Sequence, residues 1–263
     1  AAMAWCGEHG EAVAQLPAAL SHLGDGDSLW LPDVAQARNP RIMQGLRAAA
    51  IQAGVEISEH TAANSLLTDG GRVIGVETTD GLISADIVLV AAGAWSGDLL
   101  AEMGHAPEIA PVRGQIVLFK AEPCLLPCVV YRDGHYLVPR ADGHILAGST
   151  LEDAGFDKTT TLEARVDLLN FAYGLLPALR EAEIVAHWAG LRPGSPGNLP
   201  TIGRHPRLEN LYVNSGHFRY GVTMAPAAAE VLLHHILGAA TPIDPGPYAW
   251  TAQSDRHNRS VAS

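Results

Sequence analysis

The spacing of apolar residues predicts helices in the first fifth of the chain. Apolar residues recur every three or four positions over Glu11–Leu23 and again over Pro40–Ala53. Pro17 weakens the first helix because proline lacks the backbone N–H that a helix interior needs. The second helix has stronger signals, with Asn39 as its N-cap and Gly54 just after its last turn.

Beyond Gly54 the apolar period falls to two, which is typical of β-strands. Aspartate–glycine turns separate the runs, as in hairpins. The run Ile87–Ala92 differs because it is continuously apolar, like a parallel strand covered on both faces, and a short helix over Gly97–Met103 follows it. The strand-like runs before it are Val55–His60, Ser65–Asp69, Arg72–Asp80 and Leu82–Asp86.

The second half of the chain predicts another sheet, antiparallel, and two more helices. Thr161 is a plausible N-cap for a helix over Leu162–Leu176, and Val222–Leu237 forms a closing helix. The order of elements predicts a mixed α/β protein whose chain passes between two subdomains. The expected strands are Arg113–Phe119, Cys128–Arg132, His135–Pro139, His144–Ser149, Glu183–Leu191 and Asn210–Asn214.

Composition narrows the class of protein. A hydrophobic fraction of 48% in 263 residues excludes disorder, and a net charge of −11 argues against nucleic acid and anionic membranes. The longest apolar run is about half of a membrane span. Three cysteines are too few for a disulfide framework, so we expect a soluble, cytoplasmic protein. The histidines are scattered, and we expect no metal site.

Two segments rich in glycine and arginine are the candidates for binding chemistry. In Trp188–Gly203, Arg192 ends a strand, and proline and glycine turn the chain straight after it. In Asn214–Pro226, a strand stops at Gly216 and a loop that carries Arg219 precedes a helix. The start of a helix offers free N–H groups to a phosphate, a carboxylate or an anionic flavin ring. Taken singly, each segment fits an ordinary turn with a surface arginine equally well.

Taken together, five segments resemble the D-amino-acid-oxidase family of FAD-dependent amine oxidoreductases, and within it the glycine oxidases of bacterial thiamine biosynthesis. The resemblance implies a glutathione-reductase-type FAD-binding domain and an antiparallel-sheet substrate domain. The FAD-binding domain is expected to be N-terminally incomplete, since no Gly-x-Gly-x-x-Gly unit is present. The segments are Val90–Ser96, Pro111–Gln115, Tyr136–Arg140 with Gly148–Glu152 and Gly155–Asp157, Trp188–Gly203, and Gly216–Pro226.

The resemblance also implies domain limits and residue roles. Residues 1–110 would be the partial FAD-binding domain, 111–190 the substrate domain, 191–250 the return to the FAD-binding domain, and 251–263 a tail. Arg192 and Arg219 match the carboxylate-binding arginines, and Tyr136 matches a tyrosine whose hydroxyl helps to hold the substrate. The expected cofactor-binding residues are Ala63, Gly93, Trp95, His217, Phe218, Arg219, Tyr220, Gly221, Val222 and Thr223.

The reaction that the resemblance implies is the oxidative deamination of glycine or a small amino acid to the 2-oxo acid, ammonia and hydrogen peroxide. No catalytic side chain is expected, because the hydride goes to the flavin of FAD. The expected partners are the amino-acid substrate and dioxygen; a homo-oligomer is left open. Two alternatives stay open. One is a related oxidase or dehydrogenase of sarcosine, proline or another D-amino acid, and the other is an inactive truncated remnant that cannot hold FAD.

Overall fold

The computed structural model describes residues 8–13, 15–23 and 28–250. The expected tail over 251–263 lies outside the described residues. The described chain forms two compact units. The first lies within Ala1–Gln44, Arg113–Glu152 and Asp157–Gly190, and the second within Gly45–Val112, Asp153–Phe156 and Leu191–Ser263. Their assignment as substrate and cofactor domains stays a prediction.

The described strands and α-helices, in chain order, are numbered as follows. The strands are β1 (Glu11–Ala12), β2 (Leu29–Trp30), β3 (Ala63–Asp69), β4 (Arg72–Thr78), β5 (Gly81–Ser84), β6 (Val88–Val90), β7 (Ala110–Lys120), β8 (Val130–Arg132), β9 (His135–Pro139), β10 (His144–Gly148), β11 (Glu183–Gly194), β12 (Thr201–Arg204) and β13 (Leu211–Ser215). The α-helices are α1 (Asn39–Gln52), α2 (Ser96–Leu100), α3 (Leu162–Leu175) and α4 (Gly221–Leu237). Short 3₁₀ helices cover Ala18–Leu23, Gly93–Trp95, Ala101–Met103, Pro177–Glu181, Pro196–Asn198 and Gly246–Tyr248.

The first unit is built on a sheet with the strand order β11-β7-β10-β9-β8. Strands β7, β10, β9 and β8 pair antiparallel, as the sequence predicts. Helix α3 packs against β10, and its N-cap Thr161 accepts a hydrogen bond from the N–H of Ala164 at 3.2 Å, which confirms the predicted cap. Side chains of α3 and of one sheet face form the core; among them are Val117, Phe119, Leu137, Ile145, Leu168 and Ala172.

The second unit contains two small sheets. One has the order β12-β13-β6, in which β13 and β6 are parallel, and the other is the antiparallel meander β3-β4-β5. Both predicted hairpin turns, at Gly70–Gly71 and Gly81, have the positive φ angles that favour glycine. The side chain of Asn210 connects the two sheets through hydrogen bonds. Its amide oxygen accepts from the N–H of Val73, and its amide nitrogen donates to the carbonyl groups of Val73 and Asp86.

Helix α4 covers the β12-β13-β6 sheet. Val231 and Leu232 of the helix pack against Ile202 of β12 and Tyr212 of β13 in a small core cluster. A larger cluster joins the meander to this sheet through Leu66, Val73, Val90 and Val213, among others. The carboxyl ends of β6 and β13 are therefore held on a packed support.

Three local predictions were wrong. The helix expected over Glu11–Leu23 is a two-residue strand at Glu11–Ala12 and a 3₁₀ helix that begins only after Pro17, because proline cannot donate within a helix. Val55–His60 forms no strand. The third wrong prediction is that β6 is covered on both faces. Val88 and Val90 are buried, but Leu89, between them, is 43% exposed.

Candidate active site

The predicted cofactor-binding residues other than Ala63 lie at one edge of the β12-β13-β6 sheet or at the start of α4. Strands β6 and β13 run parallel, with Val213 opposite Val90, so their carboxyl ends lie at the same edge. Gly93 and Trp95 follow β6, and the loop His217–Tyr220 follows β13. Ligands of open α/β sheets bind at such an edge.

Two buried serines fix this edge, and the sequence analysis missed them. The Ser215 hydroxyl donates to the carbonyl of Gly93 at 3.0 Å, and the Ser96 hydroxyl donates to the Ser215 hydroxyl at 2.9 Å. Both side chains are almost fully buried. The turn at Gly93 is thereby locked to the end of β13. Lone serines at strand ends carry no sequence signature, so only the fold reveals the pair.

Hydrogen bonds also join the two arginine segments. The N–H of Phe218 donates to the carbonyl of Pro193 at 2.9 Å, and the Ser195 hydroxyl donates to the carbonyl of Gly216 at 2.6 Å. Each bond lies next to a predicted carboxylate ligand, since Arg192 precedes Pro193 and Arg219 follows Phe218. The backbones of both arginines are therefore brought together within the second unit.

The two arginines differ in their surroundings. Arg192 is half-buried on β11, and that strand continues through Gly194, so the chain does not turn straight after the arginine as predicted. The turn comes later, in the 3₁₀ helix Pro196–Asn198. Arg219 is exposed in the loop before α4.

Helix α4 begins directly after this loop and presents its N-terminus there. Its N-cap Tyr220 makes no side-chain capping hydrogen bond, and Val222 and Thr223 are exposed. The first N–H groups of a helix have no intrahelical partner and carry a positive potential. A 17-residue helix with an uncapped, exposed start suits the electron-rich edge of a flavin ring.

His217 supplies a second sign of a ligand in the same loop. Its Nε2 atom is buried and has no hydrogen-bond partner among the described residues. Burial lowers the pKa of His217 below its ordinary value of 6.5, so the imidazole is neutral at pH 7. Buried polar atoms normally have partners, and a bound ligand would provide one. The loop and the helix start together fit the flavin part of FAD.

Trp95 and Ala63 belong to the same unit. The Trp95 side chain is 47% exposed and stacks on Phe156, with ring centroids 5.6 Å apart. Phe156 was not predicted as a site residue, although it lies in one of the segments that carry the resemblance. Ala63 is the exposed first residue of β3, a strand that packs against α2.

Tyr136 lies in the first unit, on β9. It is half-buried, and its neighbours across the sheet are Tyr131 of β8 and Gly148 of β10. The described contacts of Tyr136 are therefore with its own sheet, whereas Arg192, Arg219 and the cofactor-binding residues belong to the second unit.

A charge network around the buried Arg113 and Gln115, also missed from the sequence, lies in the first unit. The Arg113 guanidinium donates to the Glu152 carboxylate at 2.6 and 3.0 Å and to Asp157 at 2.9 Å. The Gln115 amide donates to the same Glu152 carboxylate at 2.9 Å. Strand β7 thereby holds both ends of the segment that contains Phe156.

The pKa values of the two carboxyl groups in this network, Glu152 and Asp157, lie below their ordinary values. Burial raises the pKa of Glu152, but hydrogen bonds from Thr150, Arg113 and Gln115 outweigh it, and the pKa lies below the ordinary 4.5. Hydrogen bonds from the backbone N–H and the hydroxyl of Thr159 lower the pKa of Asp157 below 3.8. Both groups are therefore charged at neutral pH.

The described part of the chain lacks two other features. No group of three or more histidine, cysteine, aspartate or glutamate side chains is arranged to hold a metal ion there. Within the same ranges no helix has the length and apolar character needed to cross a membrane.

Comparison with known proteins identifies the family. The model of the FAD dependent oxidoreductase family (DAO) matches residues 4–234, and the chain belongs to this family. FAD is the cofactor of the family, as the sequence predicts. The expected fold class, a mixed α/β protein with an antiparallel sheet, is confirmed by the structure and by its solved relatives.

Glycine oxidases are among the similar proteins. The glycine oxidase of Pseudomonas putida is 47% identical over 230 residues, which cover 86% of this chain and 63% of that protein. The Pseudomonas aeruginosa glycine oxidase is 45% identical over 256 residues, covering 94% and 70%. The crystal structure of glycine oxidase from Geobacillus kaustophilus matches with a TM-score of 0.81 at 30% identity, covering 86% and 62%. The chain thus spans about 63% of the length of the P. putida relative.

Proposed function

We propose that this chain forms the substrate-binding part, and part of the cofactor site, of an FAD-dependent oxidase of glycine or another small amino acid. The amino acid, water and dioxygen are consumed, and the 2-oxo acid, ammonia and hydrogen peroxide are formed. The observation that carries this proposal is the Phe218–Pro193 hydrogen bond, which brings two arginine backbones together beside the start of α4. The similarity to the Pseudomonas glycine oxidases supports the choice of substrate.

The substrate is held by its carboxylate. Arg192 is the main ligand in this proposal, because its planar guanidinium can donate two parallel hydrogen bonds to a carboxylate. Arg219 adds a second positive charge from the neighbouring loop, and the Tyr136 hydroxyl donates a further hydrogen bond. A net charge of −11 does not oppose this binding, since two local cations outweigh distant charges that salt screens.

FAD, when bound, accepts the hydride from the α-carbon of the substrate and passes the electrons to dioxygen. Gly93, Trp95 and the loop His217–Thr223 would hold its ring, and Ala63 would contact the adenosine part through its backbone. The N–H groups at the start of α4 would stabilise negative charge on the pyrimidine side of the ring. The neutral imidazole of His217 adds no competing charge.

The biological setting is proposed from the sequence. We place the reaction in the cytoplasm, on the basis of the low cysteine content, and in thiamine biosynthesis, on the basis of the resemblance to the glycine oxidases of that route.

Turnover by the purified protein, assayed with FAD added in saturating excess, tests the proposal. We expect glycine-dependent formation of hydrogen peroxide and ammonia in equal amounts, measured with a peroxidase-coupled assay and an ammonia assay. Acid precipitation should release all of the flavin, because no residue is expected to bind it covalently. Sarcosine, proline and D-alanine are the comparison substrates.

Each contrary result selects a different alternative. Faster turnover of sarcosine, proline or D-alanine than of glycine would identify a related oxidase. Oxidation that needs an artificial electron acceptor would identify a dehydrogenase. A protein that is purified without flavin and takes up none would be the inactive remnant.

A further inference from the structure

Gly148 lies directly under the ring of Tyr136. The two residues are opposite each other in the antiparallel pair β9–β10. A Cβ atom placed on Gly148 would lie 2.8 Å from Cε2 of Tyr136, 2.9 Å from its Cζ and 2.9 Å from its hydroxyl oxygen. The ring and its hydroxyl therefore occupy the space that any other side chain at position 148 would fill.

The φ angle does not explain the glycine. Gly148 is absent from the residues with positive φ, although the peptide bond that follows it, Gly148–Ser149, is cis. Glycine in a strand interior loses stability and often marks a close approach of another group. Here the approaching group is the phenol ring. An aromatic ring that covers a cross-strand glycine is a known stabilising pair in sheets.

The contact fixes where the hydroxyl lies. The ring is bounded by the Gly148 backbone beneath it, and Gly148 is in turn paired with Ile116 of β7. An alanine at 148 would force the ring away by about 0.7 Å, since carbon atoms in contact are about 3.5 Å apart. Displacements of this size matter for groups that hold a reacting molecule.

We propose that Gly148 is a positioning residue that sets the place of the Tyr136 hydroxyl for the substrate carboxylate. The proposal rests on the function proposed above, in which Tyr136 donates to that carboxylate. Gly148 itself touches no substrate; it acts by leaving room for the ring.

Steady-state kinetics of the FAD-loaded protein test it. Gly148→Ala should raise KM for glycine about tenfold and change kcat little, as expected when one hydrogen bond to a charged group is lost from binding. Tyr136→Phe should do the same. In the Tyr136→Phe background, Gly148→Ala should have no further effect on KM, because the hydroxyl is already absent. Gly174→Ala is the control, since Gly174 lies on helix α3 of the same unit, outside the proposed site, with open space around it.

A spectroscopic measurement does not depend on activity. With 3-fluorotyrosine incorporated at position 136, a nuclear Overhauser effect from the fluorine to the Gly148 α-protons is expected in the unsubstituted protein. Gly148→Ala should shift the fluorine resonance, and Gly174→Ala should leave it in place. This measurement remains decisive if Gly148→Ala folds poorly, because the Overhauser effect is recorded without that substitution.

The outcomes separate the two proposals. If the unsubstituted protein oxidises no small amino acid, the proposed function fails. If Tyr136→Phe raises KM and Gly148→Ala does not, or if Gly148→Ala raises KM equally in both backgrounds, the positioning role alone is overturned. Absence of the Overhauser effect also overturns it.

Discussion

Arg192 and Arg219 differ in how firmly their backbones are held. Arg192 lies within β11, which pairs with β7 in a five-stranded sheet, and Pro193 follows it. Arg219 is exposed in a loop next to Phe218, which has a positive φ of 47°. A guanidinium on a rigid strand loses less conformational entropy when it binds a carboxylate. We therefore expect Arg192, rather than Arg219, to be the main carboxylate ligand.

At the scale of one residue, Arg192→Ala should abolish most glycine turnover. Losing a buried, charge-assisted pair costs about 2–5 kcal/mol, which lowers kcat/KM by about thirtyfold or more. Arg192→Lys should retain only part of the original kcat/KM, because an ammonium group cannot donate the two parallel hydrogen bonds of a guanidinium. The flavin spectrum should stay unchanged in both variants.

Arg207→Ala is the control for this substitution, because Arg207 is an exposed arginine of the same unit outside the proposed site. If Arg219→Ala proves damaging while Arg192→Ala does not, the roles of the two arginines are reversed. If neither substitution changes turnover, the amino-acid oxidase assignment itself is lost.

Some features of single residues could be predicted from the sequence, and others could not. The positive-φ glycines at the hairpins and the Thr161 cap follow local rules and were predictable. The Ser96–Ser215 pair, whose members are 119 positions apart, and the Arg113–Glu152 pair depend on long-range packing, which no local pattern encodes. The stacking of Phe156 on Trp95 is of the same kind.

At the scale of elements, the segments with clear start and stop signals were predicted well. Helix α3 and strands β7 to β10 agree with the sequence analysis. Strand β12 has only four residues, Thr201–Arg204, and lies within a glycine- and proline-rich segment. It is too short to show a clear alternation of apolar and polar residues, so the sequence did not predict it. Apolar and polar residues alternate over Val55–His60, but the segment forms no strand. Alternation alone does not make a strand when no partner strand pairs with the segment.

The segment between β10 and α3 is held by charged side chains. Arg113 and Gln115 of β7 hold it through Glu152, and Arg113 also binds Asp157. Both carboxyl groups have pKa values below their ordinary 4.5 and 3.8. A depressed folded pKa contributes stability that is present above the unfolded pKa and is lost as the pH falls through the folded value.

The pH dependence of unfolding should therefore report this segment. Glu152→Gln should lower the free energy of unfolding by about 1–2 kcal/mol at pH 7, the order expected for a partly screened hydrogen bond to a charged group. At pH 3 the substitution should matter much less, since the protein itself has begun to lose the interaction there. Urea denaturation followed by circular dichroism at both pH values measures the difference.

Glu209→Gln serves as the control, because Glu209 pairs with Arg72 at the exposed surface, where its side chain is 72% exposed. Such surface pairs contribute little. An equal loss of stability from Glu152→Gln at pH 7 and pH 3 would show that the carboxylate charge is not what holds the segment.

At the scale of the whole molecule, the described residues would supply, in the proposed function, one part of a dinucleotide site. The carboxyl-end edge of β6 and β13 and the start of α4 suit a flavin ring. The Gly-x-Gly-x-x-Gly turn that binds a pyrophosphate occurs nowhere in the 263 residues. Strand β6 is an edge strand among the described residues, and Ile87 and Leu89 beside it are 48% and 43% exposed.

The 263-residue polypeptide by itself should consequently bind FAD weakly, with a dissociation constant above the micromolar range. The ring contacts remain, but the pyrophosphate gains no set of backbone N–H donors. FAD should then bind within about tenfold of FMN, a difference of about 1.4 kcal/mol, because the adenylate half contributes little. Titration followed by flavin fluorescence measures both constants. A micromolar or tighter constant for FAD, together with much weaker binding of FMN, would show that residues in this chain hold the pyrophosphate without the glycine-rich turn.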